Sequence, residues 1–263
     1  MSYPYRPSFA IIIPTFNCAG SLESAITSVV NQDYSGPIEL IVIDGLSTDH
    51  TPSILNRFKS NITRCISESD EGIYDAWNKG IRASKSEWIM FMGADDCLME
   101  NTLSTYEKFL QGANGNIEYV SANVFLKDAS GYSRVIGKPF IWHKFKHFMK
   151  TAHVASIHSR SLFEKHGLFS LDYSICSDYD FFLRVGPDLK ALYLDRSVAV
   201  MSSGGISQSS IKPLLQTRQI KKKYAYLSDC EIELEFLYSA LIWIVSKLKC
   251  FIRNLLKCLP TSS

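Results

Sequence analysis

The sequence predicts an α/β protein with a Rossmann-like, mostly parallel sheet flanked by helices, followed by a C-terminal helical extension. Three observations carry that expectation. Short continuous apolar runs alternate with segments of helical periodicity through the first part of the chain. The runs lack the apolar–polar alternation of a half-exposed strand, as expected of strands covered on both faces. Each run ends in a polar or acidic turn.

The first run is Phe9-Ala-Ile-Ile-Ile13, ended by Pro14. Residues 20–31 then carry Leu22, Ile26, Val29 and Val30 at helical spacing. Residues 38–43 form the second strand. Asp44-Gly-Leu-Ser-Thr-Asp-His-Thr-Pro52 is turn-rich and leads into a helix with Pro52 near its first position. Residues 62–67 predict a third strand, 74–83 a helix and 88–92 a fourth strand. Beyond that the alternation weakens. Residues 117–126 and 132–136 predict a hairpin around Asp128-Ala-Ser-Gly131, 160–166 a short helix stopped by Gly167, and 178–185 another helix.

Residues 208–259 are largely helical in pattern. Leu237, Leu241, Ile244, Val245, Leu248, Phe251, Ile252 and Leu255 share one face, with Lys249, Arg253 and Lys257 on another. The longest uncharged stretch there, 236–246, is eleven residues, whereas a spanning helix needs about 20. Such a helix can lie on a membrane but not cross it; packing on the domain or on a partner subunit is the alternative.

With 263 residues, 46% of them hydrophobic and 21% charged, the chain suits one large domain, or one domain with a small appendage, and not a disordered segment. A net charge of +2 gives no reason to expect a nucleic acid partner. Seven cysteines, an odd number without C-x-x-C spacing, speak against a zinc site or a complete disulfide framework and for a reducing compartment. The N-terminal apolar run lacks the length and cleavage site of a signal peptide, so a cytoplasmic location is expected.

In open parallel sheets, ligands bind beyond the carboxyl ends of the strands. Pro14-Thr-Phe-Asn17, Asp44, Asp70-Glu-Gly72 and the pair Asp95 and Asp96 follow the four predicted strands in turn. Singly, each acid reads as a cap or turn former, and Asp49 keeps that reading. Together they would repel one another across a crevice unless a cation stood between them. A divalent ion with oxygen ligands, bridging phosphate oxygens, is the natural occupant. The pattern therefore points to a nucleoside diphosphate site, and it has neither a P-loop nor a G-x-G-x-x-G fingerprint.

Ile11-Ile-Ile-Pro-Thr-Phe-Asn17, Val42-Ile-Asp-Gly-Leu-Ser-Thr-Asp-His-Thr51, Glu68-Ser-Asp-Glu-Gly-Ile-Tyr-Asp-Ala-Trp-Asn-Lys-Gly80 and Met92-Gly-Ala-Asp-Asp96 resemble the successive signatures of glycosyltransferase family 2. The spacing around Asp70 and Gly93-Ala-Asp-Asp96 is similar to bacterial exopolysaccharide and colanic-acid-type members. The resemblance covers roughly residues 8–210 and implies a GT-A fold. It implies a catalytic domain over 1–207, with nucleotide-sugar binding about 8–100 and the acceptor side about 101–207. Residues 208–263 then form a helical, amphipathic segment open to membrane association.

By position, the resemblance implies that Pro14, Thr15 and Asn17 belong to the nucleotide-sugar pocket. Asp44 is expected to bond the base, typically uracil, and Asp70 the base or ribose side. Asp95 is expected to ligate Mg²⁺ or Mn²⁺, with Asp96 beside it orienting the donor sugar. Two positions depart from the family pattern: Gly93 stands where the metal motif often has its first Asp, and Ser177 where a Glu often precedes the base. Asp178, in Ser177-Asp-Tyr-Asp-Phe-Phe182, matches the catalytic base of an inverting transfer. Asp180 reads as a cap for the following helix.

His153 resembles a family histidine on the acceptor side. Gly204-Gly-Ile-Ser207 resembles a loop over the donor diphosphate, although ordinary turn chemistry explains it too. His158 and His166 read as structural and Trp77 as core. The aromatic and basic stretch Phe140-Ile-Trp-His-Lys-Phe-Lys-His-Phe148 borders either the acceptor and membrane or solvent.

The expected activity is that of an inverting hexosyltransferase. The donor is a UDP-sugar by family habit, with GDP- and dTDP-sugars left open. The acceptor is a glycan or lipid-linked saccharide of surface polysaccharide biosynthesis, met at the inner membrane face. A nucleotidyltransferase is disfavoured because Pro14-Thr-Phe-Asn17 lacks a Gly-rich basic signature. A catalytically degenerate nucleotide-binding scaffold is the rival from another class.

Overall fold

Four segments pair side by side to form half of a sheet: β1 (Phe9–Thr15), β2 (Ile38–Asp44), β3 (Arg64–Ser67) and β4 (Trp88–Phe91). Their order is β3-β2-β1-β4, all parallel. Ile11, Ile12 and Ile13 of β1 are fully buried, as are Ile41 to Ile43 of β2, so the continuous apolar runs reflect cover on both faces. The connecting helices are α1 (Leu22–Val30), α2 (Thr51–Arg57) and α3 (Ile73–Ala83). The computed structural model describes residues 6–128, 131, 133–154, 156–203 and 210–257. Gly204-Gly-Ile-Ser207 lies outside the described residues.

The second half of the sheet is mixed. After β5 (Cys97–Leu98) and α4 (Thr102–Gln111), β6 (Tyr119–Lys127) forms the expected antiparallel hairpin with β7 (Ser133–Ile136). Next come α5 (Trp142–Phe145), β8 (Ile157–Ser159), α6 (Arg160–His166), α7 (Ser177–Val185) and β9 (Ala191–Ser202). β8 joins the halves, antiparallel to both β4 and β6, while β9 runs parallel to β6 and pairs at its far end with β5.

The sequence reading lacks β5, α4, α5, β8 and β9. At β9 the reason is physical. The register with β6 jumps from Ala122↔Leu194 to Asn123↔Ser197, so Asp195 and Arg196 bulge out of the ladder. Asn123 meets that bulge, donating from Nδ2 to Asp195 at 2.9 Å and accepting from the Tyr193 hydroxyl at 2.6 Å. Two charged residues in mid-strand erase the periodicity that would have announced it.

The chain divides into two compact units, Met1–Gly205 and Ile206–Ser263. The second contains α8 (Lys212–Tyr224) and α9 (Asp229–Lys257). Arg218 grips Glu233 with two hydrogen bonds of 2.8 and 2.6 Å, and Lys222 and Lys221 pair with Glu233 and Glu235. Leu237, Leu241, Ile244, Val245 and Leu248 of α9 are exposed. Among the described residues, no helix is long and apolar enough to cross a membrane.

Candidate active site

The register of the parallel strands places their carboxyl ends in a row. Thr15 pairs with Asp44, and Asp44 with Ser67. β4 stops earlier, its last residue Phe91 opposite Ile12. The Ile12 carbonyl takes the Met92 N–H and the Thr15 carbonyl the Gly45 N–H, so even-numbered residues of β1 turn toward β4 and odd ones toward β2. The N–H that Pro14 lacks would therefore have pointed where β4 has already ended. A proline is tolerated there inside a central strand, and a crevice opens between the ends of β1 and β4.

On the β2 side, loops clasp one another. Asn17 adopts φ of 52°, and its amide oxygen accepts the Thr48 N–H at 2.8 Å and the Asp49 N–H at 3.3 Å. Its own N–H donates to Ser47 Oγ at 2.8 Å. Asp49 accepts from the Thr51 and Ala19 N–H groups, the turn-forming role read from the sequence. Asp44 is 1% exposed. Its Oδ1 accepts from the Ser47 hydroxyl at 2.5 Å and its Oδ2 from the Ser67 hydroxyl at 2.7 Å. The Thr15 side chain is buried beside it, and Pro14 is half-buried.

Asp70 is half-buried, with Oδ1 accepting the Gly72 N–H at 2.9 Å. Its Oδ2 lies 2.8 Å from where a Cβ on Gly45 would stand, so the acid after β3 leans over the end of β2. Phe16, absent from the sequence-derived site, closes on the same glycine and is 61% exposed. Its signal was available: a large aromatic side chain in the turn that ends a buried strand.

Across the crevice, the turn after β4 holds Asp95 and Asp96. Asp96 is buried; its Oδ2 accepts the Gly93 N–H at 2.9 Å and its Oδ1 the Ser202 N–H at 3.2 Å. Ser202 also donates its hydroxyl to the Asp95 carbonyl at 2.8 Å, which locks the turn to the end of β9. Asp95 itself is exposed. A Cβ on Gly93 would stand 2.8 Å from Asp95 Oδ1 and 2.8 Å from Asp96 Oδ2. The missing first acid of the family motif is thus the space into which the other two carboxylates fold. Burial, then the charge of Asp95, push the Asp96 carboxyl up to about 6.

An exposed carboxylate beside a buried one that resists ionising suits a hard cation that shares its remaining ligands with phosphate and water. Among the described residues, no three His, Cys, Asp or Glu side chains converge to hold a metal unaided.

Asp178 sits in the first turn of α7, half-buried. Its Oδ1 accepts the Tyr179 N–H at 2.8 Å and the Tyr74 hydroxyl at 3.0 Å; the same hydroxyl also reaches the Ile175 carbonyl at 2.6 Å. Tyr74 belongs to α3, which starts three residues beyond Asp70. Burial, reinforced by the Asp178 charge, raises the Tyr74 phenol well above its usual value, which keeps it a donor. The sequence reading missed this partner because 104 residues separate the two.

Ser177 is fully buried and donates to the Ser170 carbonyl at 2.6 Å. Asp180 is a correction. It does not precede a helix but lies buried in the first turn of α7, bonded to Arg184 one turn on at 3.0 Å. Helix periodicity puts it on the inner face, where burial requires a partner.

His153 stacks on Phe91 at 5.3 Å and 9° and lies 4.9 Å from Trp77, with Phe169 completing the aromatic box. Both ring nitrogens are shielded and lack a partner among the described residues. Burial lowers its pKa, only partly offset by Asp178, so the ring is neutral. Trp77 is buried in that cluster, as the core reading expects.

A family model described as Glycosyl transferase family 2 matches residues 10–165. A PGL/p-HBAD biosynthesis glycosyltransferase of Mycobacterium bovis is 32% identical over 212 residues, 78% of this chain and 81% of the relative. The S. aureus TarS 1-349 crystal structure in complex with UDP-GlcNAc superposes with a TM-score of 0.65 at 16% identity, over 87% of this chain and 70% of that one. This chain covers 43% of the longer TarS chain. Mannosyltransferase PcManGT from Pyrobaculum calidifontis, in complex with GDP-Man and Mn²⁺, gives 0.62 at 20% identity, over 85% of this chain and 66% of that one.

The raised Asp96 carboxyl predicts a pH signature in metal-free buffer. Its folded value of about 6 exceeds the ordinary 3.8. The native state is therefore favoured while Asp96 is protonated, and that contribution is lost as pH rises from about 4 through about 6. The loss is on the order of 3 kcal/mol, from about 1.4 kcal/mol per unit. Urea unfolding across that range should show stability falling in the wild type relative to Asp96→Asn; parallel profiles would contradict the assignment.

Proposed function

The chain belongs to glycosyltransferase family 2, and on that premise we propose that it is an inverting, metal-assisted hexosyltransferase with Asp178 as its base. What supports the base assignment most is the hydrogen bond from Tyr74 to Asp178 Oδ1 at 3.0 Å. It fixes the carboxylate from the helix that starts at the rim of the crevice.

The donor is a nucleoside diphosphate sugar. Phe16 offers an exposed apolar surface to the base, and Asp44 orients the Ser47 and Ser67 hydroxyls beside it. Pro14 and Thr15 form the floor, Asn17 holds the loop over Ser47, and Asp70 takes the base or ribose side. A UDP-sugar is favoured, and GDP- and dTDP-sugars fit the same groups. TarS with UDP-GlcNAc and PcManGT with GDP-Man and Mn²⁺ share the fold and are consistent with that range. Asp95 would hold Mg²⁺ or Mn²⁺, with Asp96 fixing the turn beneath it. When bound, the cation supplies positive charge against the departing diphosphate.

Oδ2 of Asp178 remains for the acceptor hydroxyl. As that oxygen attacks the anomeric carbon from the face opposite the diphosphate, its proton passes to Asp178. The bond from the anomeric carbon to the phosphate oxygen breaks, and its electron pair leaves with the nucleoside diphosphate. One displacement inverts the anomeric centre. Neutral His153, boxed among aromatic rings, packs behind the acceptor side without taking a proton.

The acceptor is a glycan or lipid-linked saccharide of surface polysaccharide synthesis. The exposed apolar row of α9 and the basic Lys247, Lys249, Arg253 and Lys257 support attachment to the cytoplasmic face of a membrane. Truncation after Ser228 should release the protein from anionic vesicles in a sedimentation assay; unchanged sedimentation would remove α9 as the anchor.

Asp178→Asn should lower kcat by roughly 10²–10⁴ while leaving nucleotide affinity intact. Tyr74→Phe should cost about tenfold in kcat, again without loss of nucleotide binding. A degenerate nucleotide-binding scaffold has no turnover for either substitution to lower, so the absence of any transfer by the wild type across UDP-, GDP- and dTDP-sugars would favour that rival.

A further inference from the structure

We propose that a cavity beside α5 is a subsite for the phosphate of a lipid-linked acceptor and the first carbons of its lipid. The cavity has a volume of about 320 Å³ and is lined by Lys138, Lys144 and Lys150 together with Ile141, Phe145 and Phe148. The inference deepens the acceptor reading above and rests on it.

Charge carries the first part of the argument. Three lysines share one concavity whose lining contains no acid. None of the three side chains makes an ion pair among the described residues, whereas Lys79, Lys221 and Lys222 all do. Clustered ammonium groups repel one another, and an anion relieves that repulsion. Lysine meets phosphate as a mobile point charge and needs no fixed fork geometry.

Apolar surface carries the second part. Phe145 is buried, Ile141 half-buried and Phe148 exposed, so the cavity grades from an apolar floor to an open apolar lip. An uncharged sugar would have no use for the lysines, and free phosphate none for the phenylalanines. A molecule with a phosphate head and a hydrocarbon continuation satisfies both. The volume lies at the low end for small-molecule sites, about 300–1,000 Å³, so it seats the head and a short stretch of lipid.

Position carries the third part. The Tyr179 hydroxyl donates to the Lys146 carbonyl at 2.6 Å. Phe145 packs against Tyr179 at 5.9 Å and Phe182 at 5.4 Å. Tyr179 and Phe182 belong to α7, the helix that carries Asp178. The cavity wall is thus bolted to the element that positions the base, and a phosphate anchored there holds the attached sugar in register with Asp178.

The test titrates the full chain with geranyl phosphate, geraniol and inorganic phosphate by calorimetry, with UDP plus Mn²⁺ as a parallel arm. Geranyl phosphate should bind at least about tenfold more tightly than either fragment. Lys138→Ala/Lys144→Ala/Lys150→Ala should weaken geranyl phosphate by at least about tenfold, and the corresponding triple arginine variant should retain it. Both variants should bind UDP as the wild type does. Geraniol binding as tightly as its phosphate, or inorganic phosphate doing so, would overturn the subsite, as would an alanine variant with unchanged affinity. UDP binding without geranyl phosphate binding overturns the subsite alone. A wild type that binds no UDP overturns the transferase reading beneath it.

Discussion

The Asp96 carboxylate is the tie on which the crevice depends. Its two oxygens join the Gly93 N–H of the turn after β4 to the Ser202 N–H at the end of β9. That side chain therefore adds a tie between the two halves that β8 joins, and it does so while buried. Two backbone donors offset part of the cost of keeping an anion there, and the neighbouring charge of Asp95 adds to it. Local instability is thus held at the turn after β4.

The other acids divide by what already satisfies them. Asp44 is closed in by Ser47 and Ser67, Asp49 holds two loops together, and Asp180 pairs with Arg184 inside α7. Asp70, Asp95 and Asp178 keep carboxylate oxygen directed away from such internal bonds. Gly93 belongs to the same division, because its missing side chain is the volume into which Asp95 and Asp96 fold.

The first half of the fold was legible because β1, β2 and β4 are covered on both faces, and unbroken apolar runs such as Phe9-Ala-Ile-Ile-Ile13 record that cover directly. The acidic turns after β2 and β4 were legible for the same reason, since each follows such a run. β9 was not, because its bulge places Asp195 and Arg196 in mid-strand. Nor could sequence separate acids that bond within the protein from acids that remain open: Ser47 and Ser67 look like ordinary turn residues until the register brings them to Asp44. The partnership of Tyr74 with Asp178 is written in packing, not in spacing. The misread cap at Asp180 arose because an acid near a helix start looks the same whether it faces the backbone ends or the core.

The central claim is that Asp95 joins a divalent cation to the donor's diphosphate. Calorimetric titration of UDP into wild type and Asp95→Asn, each with Mn²⁺ and with chelator, tests it without relying on turnover. In the wild type, chelation should weaken UDP binding at least about tenfold. Asp95→Asn should bind UDP at the weakened level whether or not Mn²⁺ is present. A variant that keeps the full Mn²⁺-dependent gain would place the cation elsewhere and contradict the account.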